Sequence, residues 1–290
     1  MPTYFAIEKD ILLVVVALYL AAAIVGFCQL SKGSPKLRYV LVALIAFAVS
    51  LESTALVFRA VEIKAIPLTV LFESMMVLTI AFGLIYIAFS VAISQSWFGS
   101  VMSCVLLAMT IATLLVFTPA AEPSKVAKTP WAVSHGLSMV LASAMIMFSS
   151  VSAYLFLLGN RRLKAKRVSG MVGKVPNIER MEQLNLFGLR ACFVLLTFGI
   201  VSGIGLGIVK HVMLELTIGQ WLLDPKIICI GAAWVLITLL LFMRHFNLIG
   251  NKTTAYLTLV VFFLIFFAII AVTAFGITRH VFGGGALMKM

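Results

Sequence analysis

With 290 residues, 63% of them hydrophobic and 11% charged, and a mean hydropathy of +1.16, the chain falls outside the range of a water-soluble globular domain. Its formal net charge of +12 points to nucleic acid or to an acidic membrane surface, and the placement of the charges between long apolar runs favours the membrane, with no nucleic acid partner. Runs of about 20 uniformly apolar residues exclude a spanning β-barrel, whose strands alternate apolar and polar positions, and leave an all-α, polytopic bundle of about eight transmembrane helices.

In chain order, helices are expected at Ile11 to Leu30, Tyr39 to Phe58, Leu68 to Ile93, Phe98 to Phe117, Trp131 to Leu158, Leu186 to Val209, Ile227 to Phe246 and Thr254 to Phe275. The opening stretch, Met1 to Asp10, has no basic run and carries Glu8 and Asp10, so the first helix is expected to be retained rather than cleaved as a signal. Between the fifth and sixth helices lies a basic loop, Gly159 to Gln183, in which Arg161, Arg162, Lys164, Lys166, Arg167, Lys174 and Arg180 outweigh Glu179 and Glu182. Such a loop stays in the cytoplasm. Eight spans then put Lys32, Lys36, Arg38, Arg244 and Lys252 on the same inner side and both termini outside. The outer segments are Arg59 to Pro67, Thr118 to Pro130, Lys210 to Lys226 and the tail from Thr278. No repeat and no soluble domain interrupts the pattern, so residues 1–290 are expected to form one membrane domain. The basic loop serves chiefly as the topology signal, although it also suits anionic lipid headgroups, at about 1 kcal/mol per basic residue near the surface.

Histidine is scarce. His135 opens the fifth helix, His211 follows the sixth, His245 ends the seventh and His280 follows the eighth, so three of the four fall on the outer face. Two readings stand for each: a half-polar ring at the membrane interface, or an axial ligand to haem iron. Trp131 lies four residues before His135 and so on the same helical face, where its ring is either an interfacial anchor or a platform for a flat macrocycle. The outer segment Gly219 to Lys226 contains Trp221 and runs into the seventh helix, with Asp224 as the expected N-cap and Pro225 at the first helical position. Gly199, Gly203 and Gly207, with Ser202 and Gly205, give the sixth helix a face of small residues that suits close helix packing or a flat cofactor. Glu52 and Glu73 lie inside apolar spans, where a carboxylate hydrogen-bonds a ligand, carries protons or pairs with a cation such as Arg59 or Arg190. Cys28, Cys104, Cys192 and Cys229 are far apart and match neither a thiol oxidoreductase motif nor a c-type haem attachment motif. No Gly-rich phosphate loop is present, which argues against an ATP-driven pump.

The order of these motifs resembles the cytochrome c assembly family of CcsA/ResC type, which includes HemX-like and CcmC-like members. Pro67-Leu68-Thr69 followed by Leu71-Phe72-Glu73-Ser74 is similar to the family's proline-to-"YES" stretch, and Trp131 to His135 resembles its outer histidine opening a long helix. Glu182-Gln183-Leu184 through Leu196 to Gly203 resembles the approach to its tryptophan-rich outer loop. In that loop, here 210–226, Trp221, Asp224, Pro225 and Lys226 match. Thr217, Ile218, Leu223 and Ile227 stand where the family usually has Trp, Gly, Trp and Glu.

The resemblance implies that His135 and His280 ligate haem b at the outer face, that Trp221 and Asp224 frame it with Trp131 beside it, and that His245 serves a second haem deeper in the membrane. Glu52 falls near the position of that second haem's usual partner histidine, and His211 is an additional outer histidine. The implied function is presentation of haem to apocytochrome c within a haem lyase system of the bacterial inner membrane, alongside a CcsB/ResB-like subunit. Two other readings stay open: a haem-bearing subunit passing electrons between quinol and a multihaem cytochrome, and a HemX-like regulator of haem synthesis.

Overall fold

A computed structural model describes residues 2–32, 34–93, 96–119, 126–164, 177–214 and 223–271. These residues are helical with short connections, and no strand occurs among them. We number the long helices α1 (Pro2–Lys32), α2 (Pro35–Ile63), α3 (Leu71–Ala92), α4 (Ser96–Leu115), α5 (Pro130–Lys164), α6 (Ile178–Leu214), α7 (Pro225–His245) and α8 (Asn251–Phe266). A π-helical stretch, Phe267–Ala271, continues α8. All eight are long and apolar enough to cross a bilayer, and the chain is a multi-pass integral membrane protein.

Several ends differ from the sequence expectation for one physical reason: hydropathy marks where lipid stops, whereas a helix continues as long as its backbone bonds are made. The 35 residues of α5 span about 52 Å, well beyond a hydrocarbon core of about 30 Å, and carry Arg161, Arg162 and Lys164 as part of the helix. Helix α6 likewise begins at Ile178 and runs to Leu214, so it includes Glu179, Arg180 and Glu182 at one end and His211 at the other. The segments expected as loops at 159–183 and 210–226 are therefore helical at both flanks. Helix α3 starts later than expected, at Leu71 rather than Leu68.

The chain forms two compact units, α1 to α4 and α5 to α8, the latter joined by residues 68–71. In the first unit α1 packs against both α2 and α4. The approach to α4 is close because Gly26 faces it: a Cβ there would sit 2.9 Å from Ser100 Cα, and the Ser100 hydroxyl donates to the Gly26 carbonyl at 2.6 Å. Bulky rings instead line α3, with Phe72 edge-on to Phe117 at 5.0 Å and Tyr86 stacked on Phe98 at 5.6 Å. The buried face of α2 carries Leu41, Ile45, Ala48, Glu52, Ala55 and Arg59, spaced by three or four residues. Glu52 is fully buried and accepts from the Tyr19 hydroxyl at 3.4 Å.

In the second unit α5 is the central helix, packed along α6 and against α8, while α7 covers α8 and α6. Its apolar core combines Ala142 and Ile146 with Leu189, Leu196, Ala233 and Ile237, closed by Val261 and Ile265. Polar groups fasten this core. Asn185 on α6 lies with its side-chain oxygen 2.7 Å from the Ser149 hydroxyl of α5 and 3.1 Å from the Thr258 hydroxyl of α8. The Trp234 indole of α7 donates to the Thr197 hydroxyl of α6 at 2.8 Å. At the basic end Glu182 accepts from Arg244 and Asn251, tying the start of α6 to the end of α7 and the start of α8. Outward faces of both units are as apolar as the cores, with Phe47, Val91, Val194 and Phe263 each 60% exposed or more. Lipid solvates such surfaces.

Candidate functional site

His135 occupies the second turn of α5, where Pro130 opens the helix with a fixed φ and no amide donor to satisfy. The Nδ1 atom of its ring lies 2.8 Å from the carbonyl oxygen of Gly199 on α6. A carbonyl only accepts, so in the neutral ring Nδ1 carries the proton and the lone pair is on Nε2. That is the tautomer of a metal-ligating histidine whose other nitrogen is oriented by a backbone carbonyl.

The ring fits there because α6 has glycine opposite it. A Cβ at Gly203 would sit 2.9 Å from His135 Nδ1, and one at Gly205 would sit 2.5 Å from Cε3 of Trp131. Gly199 takes Met139 in the same way, at 2.8 Å from its sulfur. The small-residue face predicted for the sixth helix is thus a ledge for three α5 side chains, two of them the paired Trp131 and His135 expected on one face. Trp131 stays 47% exposed, its indole half covered by the ledge.

Asp224 caps α7 as expected. Its Oδ1 accepts from the Lys226 amide at 2.9 Å, with Pro225 following as the first helical residue. The carboxylate is 6% exposed, so the cap is buried rather than a surface ornament. Replacement by Ala is expected to lower the stability of the chain by about 0.5 to 2 kcal/mol, read as the thermal midpoint in detergent, with Asp224→Asn close to wild type.

His211 is a correction to the sequence reading: it lies within α6, one turn from the end at Leu214, rather than after the helix. The helix persists because Lys210 to Leu214 keep bonding their amides back along it. The side chain of His211, and Trp221 and His280 entirely, lie outside the described residues. His245 ends α7 as expected, but at the other end of the second unit from His135, on the side marked by the Glu182 to Arg244 pair. There it lines an open cavity with Arg190, Arg244 and Asn247.

In the first unit, the residues resembling the "YES" stretch have a structural partner. Glu73 accepts from Arg59 Nε at 2.8 Å, and Phe72 lies under the Arg59 guanidinium at 4.8 Å. Of the roles open to Glu73, geometry thus provides the ion pair with Arg59. Glu8, which sequence reasoning used only to argue against a signal peptide, is the second carboxylate on Arg59, at 2.9 Å. In the sequence it stands beside Lys9 and Asp10, ahead of the first apolar run, and nothing there marks a buried partner. Asn185, Thr197 and Trp234 gave no signal either, since their pairing depends on helix rotation.

Among the described residues no three or more His, Cys, Asp or Glu side chains converge as a metal cluster. A sequence model of the family described as "Cytochrome C assembly protein" matches residues 68–280, a stretch that contains all four histidines. No curated protein matches the sequence.

Proposed function

The chain belongs to the cytochrome c assembly protein family, and we propose that its part in cytochrome c biogenesis is to hold haem b at the outer membrane face for transfer to apocytochrome c. Haem is cargo in this scheme. The observation that carries it is the His135 ring, its Nδ1 bonded to the Gly199 carbonyl and its lone pair on Nε2, standing beside a half-exposed indole on a glycine ledge. This suits one axial ligand and one flat neighbour for a porphyrin. His280 is the proposed second ligand, and Trp221 and Asp224 the frame of the other side. The thiols of the apocytochrome form the covalent bonds, so the chain needs no nucleophile of its own, and a CcsB/ResB-like subunit is the proposed assembly partner in a bacterial inner membrane.

The absorption spectrum of the full chain purified in detergent tests this. The expected result is a Soret band with a sharp α-band on reduction, and at least about a tenfold loss of haem per chain in His135→Ala. Added imidazole should restore the band in His135→Ala, because a free ring replaces a lost ligand but not a lost fold. Wild-type protein without haem absorbance, or a variant with unchanged haem content, overturns the reading. Reversible redox titration of a bound haem in a chain that fails to restore cytochrome c maturation would favour the quinol to cytochrome electron-transfer subunit instead, a reading that the degraded tryptophan loop keeps open.

A further inference from the structure

The second unit has a cavity of about 470 Å³ at its basic end, lined by Leu186 and Arg190 of α6, Leu241, Arg244 and His245 of α7, and Asn247 of the turn that follows. Asn247 holds a left-handed conformation, φ 54°, that closes α7 and turns the chain back toward α8. Arg244 is committed to Glu182 and to the Ile249 carbonyl. Arg190 is not committed: among the described residues it makes no ion pair or hydrogen bond. It lies eight residues, about 12 Å, further along α6 than Glu182, inside the apolar part of the span. An arginine at that depth faces a polar cavity or an anion rather than hydrocarbon. Its Cα–Cβ bond leans toward the start of the helix, so the guanidinium reaches back to the basic end.

Leu186 and Leu241 are the apolar part of its lining. Next to it, the Phe246 ring stands edge-on to His245 at 5.1 Å and lies 4.8 Å from Phe242, and Phe242, Phe246 and Leu248 are 57%, 56% and 64% exposed. An unpaired guanidinium, an imidazole and an amide thus converge where hydrocarbon meets water, with exposed rings beside them. An anion that also carries acyl chains satisfies both halves of that surface, which a free anion does not. We propose that this cavity is a binding site for the phosphate of an anionic phospholipid headgroup, held by Arg190, His245 and Asn247 with its chains along Leu186, Leu241 and Phe242. The inference does not depend on the proposed outer haem, whose ligand His135 is at the opposite end of the unit, and it gives His245 to the lipid in place of the second haem that the family resemblance implies.

Native mass spectrometry of the full chain in neutral detergent, loaded with equal amounts of dioleoylphosphatidylglycerol and dioleoylphosphatidylcholine, tests it. The expected result is a preference for the anionic lipid of about tenfold, lost in Arg190→Gln and largely kept in Arg190→Lys. Should Arg190→Gln fail to fold, His245→Gln must still lower the preference. Lys252→Gln, which is outside the cavity, should leave it unchanged. Equal retention of the two lipids, or a preference untouched by both cavity variants, overturns the proposal. So does displacement of the lipid by millimolar inorganic phosphate, which would make the cavity a free-anion site. A fall in haem content with lipid retention unchanged would reassign the cavity to a porphyrin carboxylate and equally overturn it.

Discussion

Arg59→Met is expected to destabilise the first unit by about 3 to 5 kcal/mol, the cost of leaving a buried charge without its partner. Arg59 is 2% exposed, and its five N–H donors meet five acceptors. Nε donates to Glu73 Oε1 at 2.8 Å, Nη1 to both oxygens of Glu8 at 2.9 and 3.0 Å, and Nη2 to the carbonyls of Thr118 and Pro119 at 3.0 and 3.2 Å. One planar group therefore joins α1, α2, the first turn of α3 and the segment after α4. Methionine keeps the apolar stem and removes every donor, stranding two carboxylates. Arg59→Lys should recover only part of the loss, since an ammonium has three donors and no fork. The triple variant Arg59→Met, Glu8→Gln, Glu73→Gln should be more stable than Arg59→Met alone, because it removes the stranded charges with the cation. Thermal midpoints in detergent check the series, and a single variant that melts with wild type would refute the assignment.

Gly203→Val should produce the second large effect, at the histidine ledge. Its Cβ would sit 2.9 and 3.0 Å from Nδ1 and Cε1 of His135, so the ring must leave the Gly199 carbonyl or the helices must part. Overpacking of this kind costs about 1 to 3 kcal/mol, and haem retention should fall to the level of His135→Ala. Gly231 provides the contrast. It lies inside α7 with nothing within 4 Å of an added Cβ, so Gly231→Ala should raise stability by about 0.5 to 1 kcal/mol through helix propensity alone. Opposite signs for the two glycines, measured on the same unfolding assay, separate the ledge from a general property of glycine in helices. Equal melting and equal haem retention in Gly203→Val and wild type would remove the ledge from the argument.

The eight spans were legible because lipid demands unbroken apolar stretches, and the Asp224 cap because Asp-Pro before an apolar run has few other uses. Helix ends were less so, since Arg161 to Lys164 and Ile178 to Glu182 are polar yet remain helical. The glycine face of α6 could be recognised from spacing, but its occupants could not. Whether it met another backbone, a cofactor or a histidine depends on the rotation of α5, which a chain apolar on all sides does not encode. The same holds for Glu73, whose partner was one of several until geometry chose Arg59. Glu52 kept its place in the interior and acquired Tyr19, a neighbour thirty-three residues away that no local pattern announces.

The amide of Asn185 has a consequence that reaches the far end of the second unit. In hydrocarbon, a leucine is nearly as well solvated by lipid as by another leucine, so two apolar helices can slide past each other by a turn at little cost. A hydroxyl that must find one particular oxygen cannot. Ser149 is fourteen residues from His135 on α5, and Asn185 is fourteen residues from Gly199 on α6, so the two antiparallel contacts share a single alignment about 21 Å apart. Slippage by one turn at Ser149 would carry the imidazole past its carbonyl by the same step, which makes a side chain remote from the histidine the vernier that sets its height.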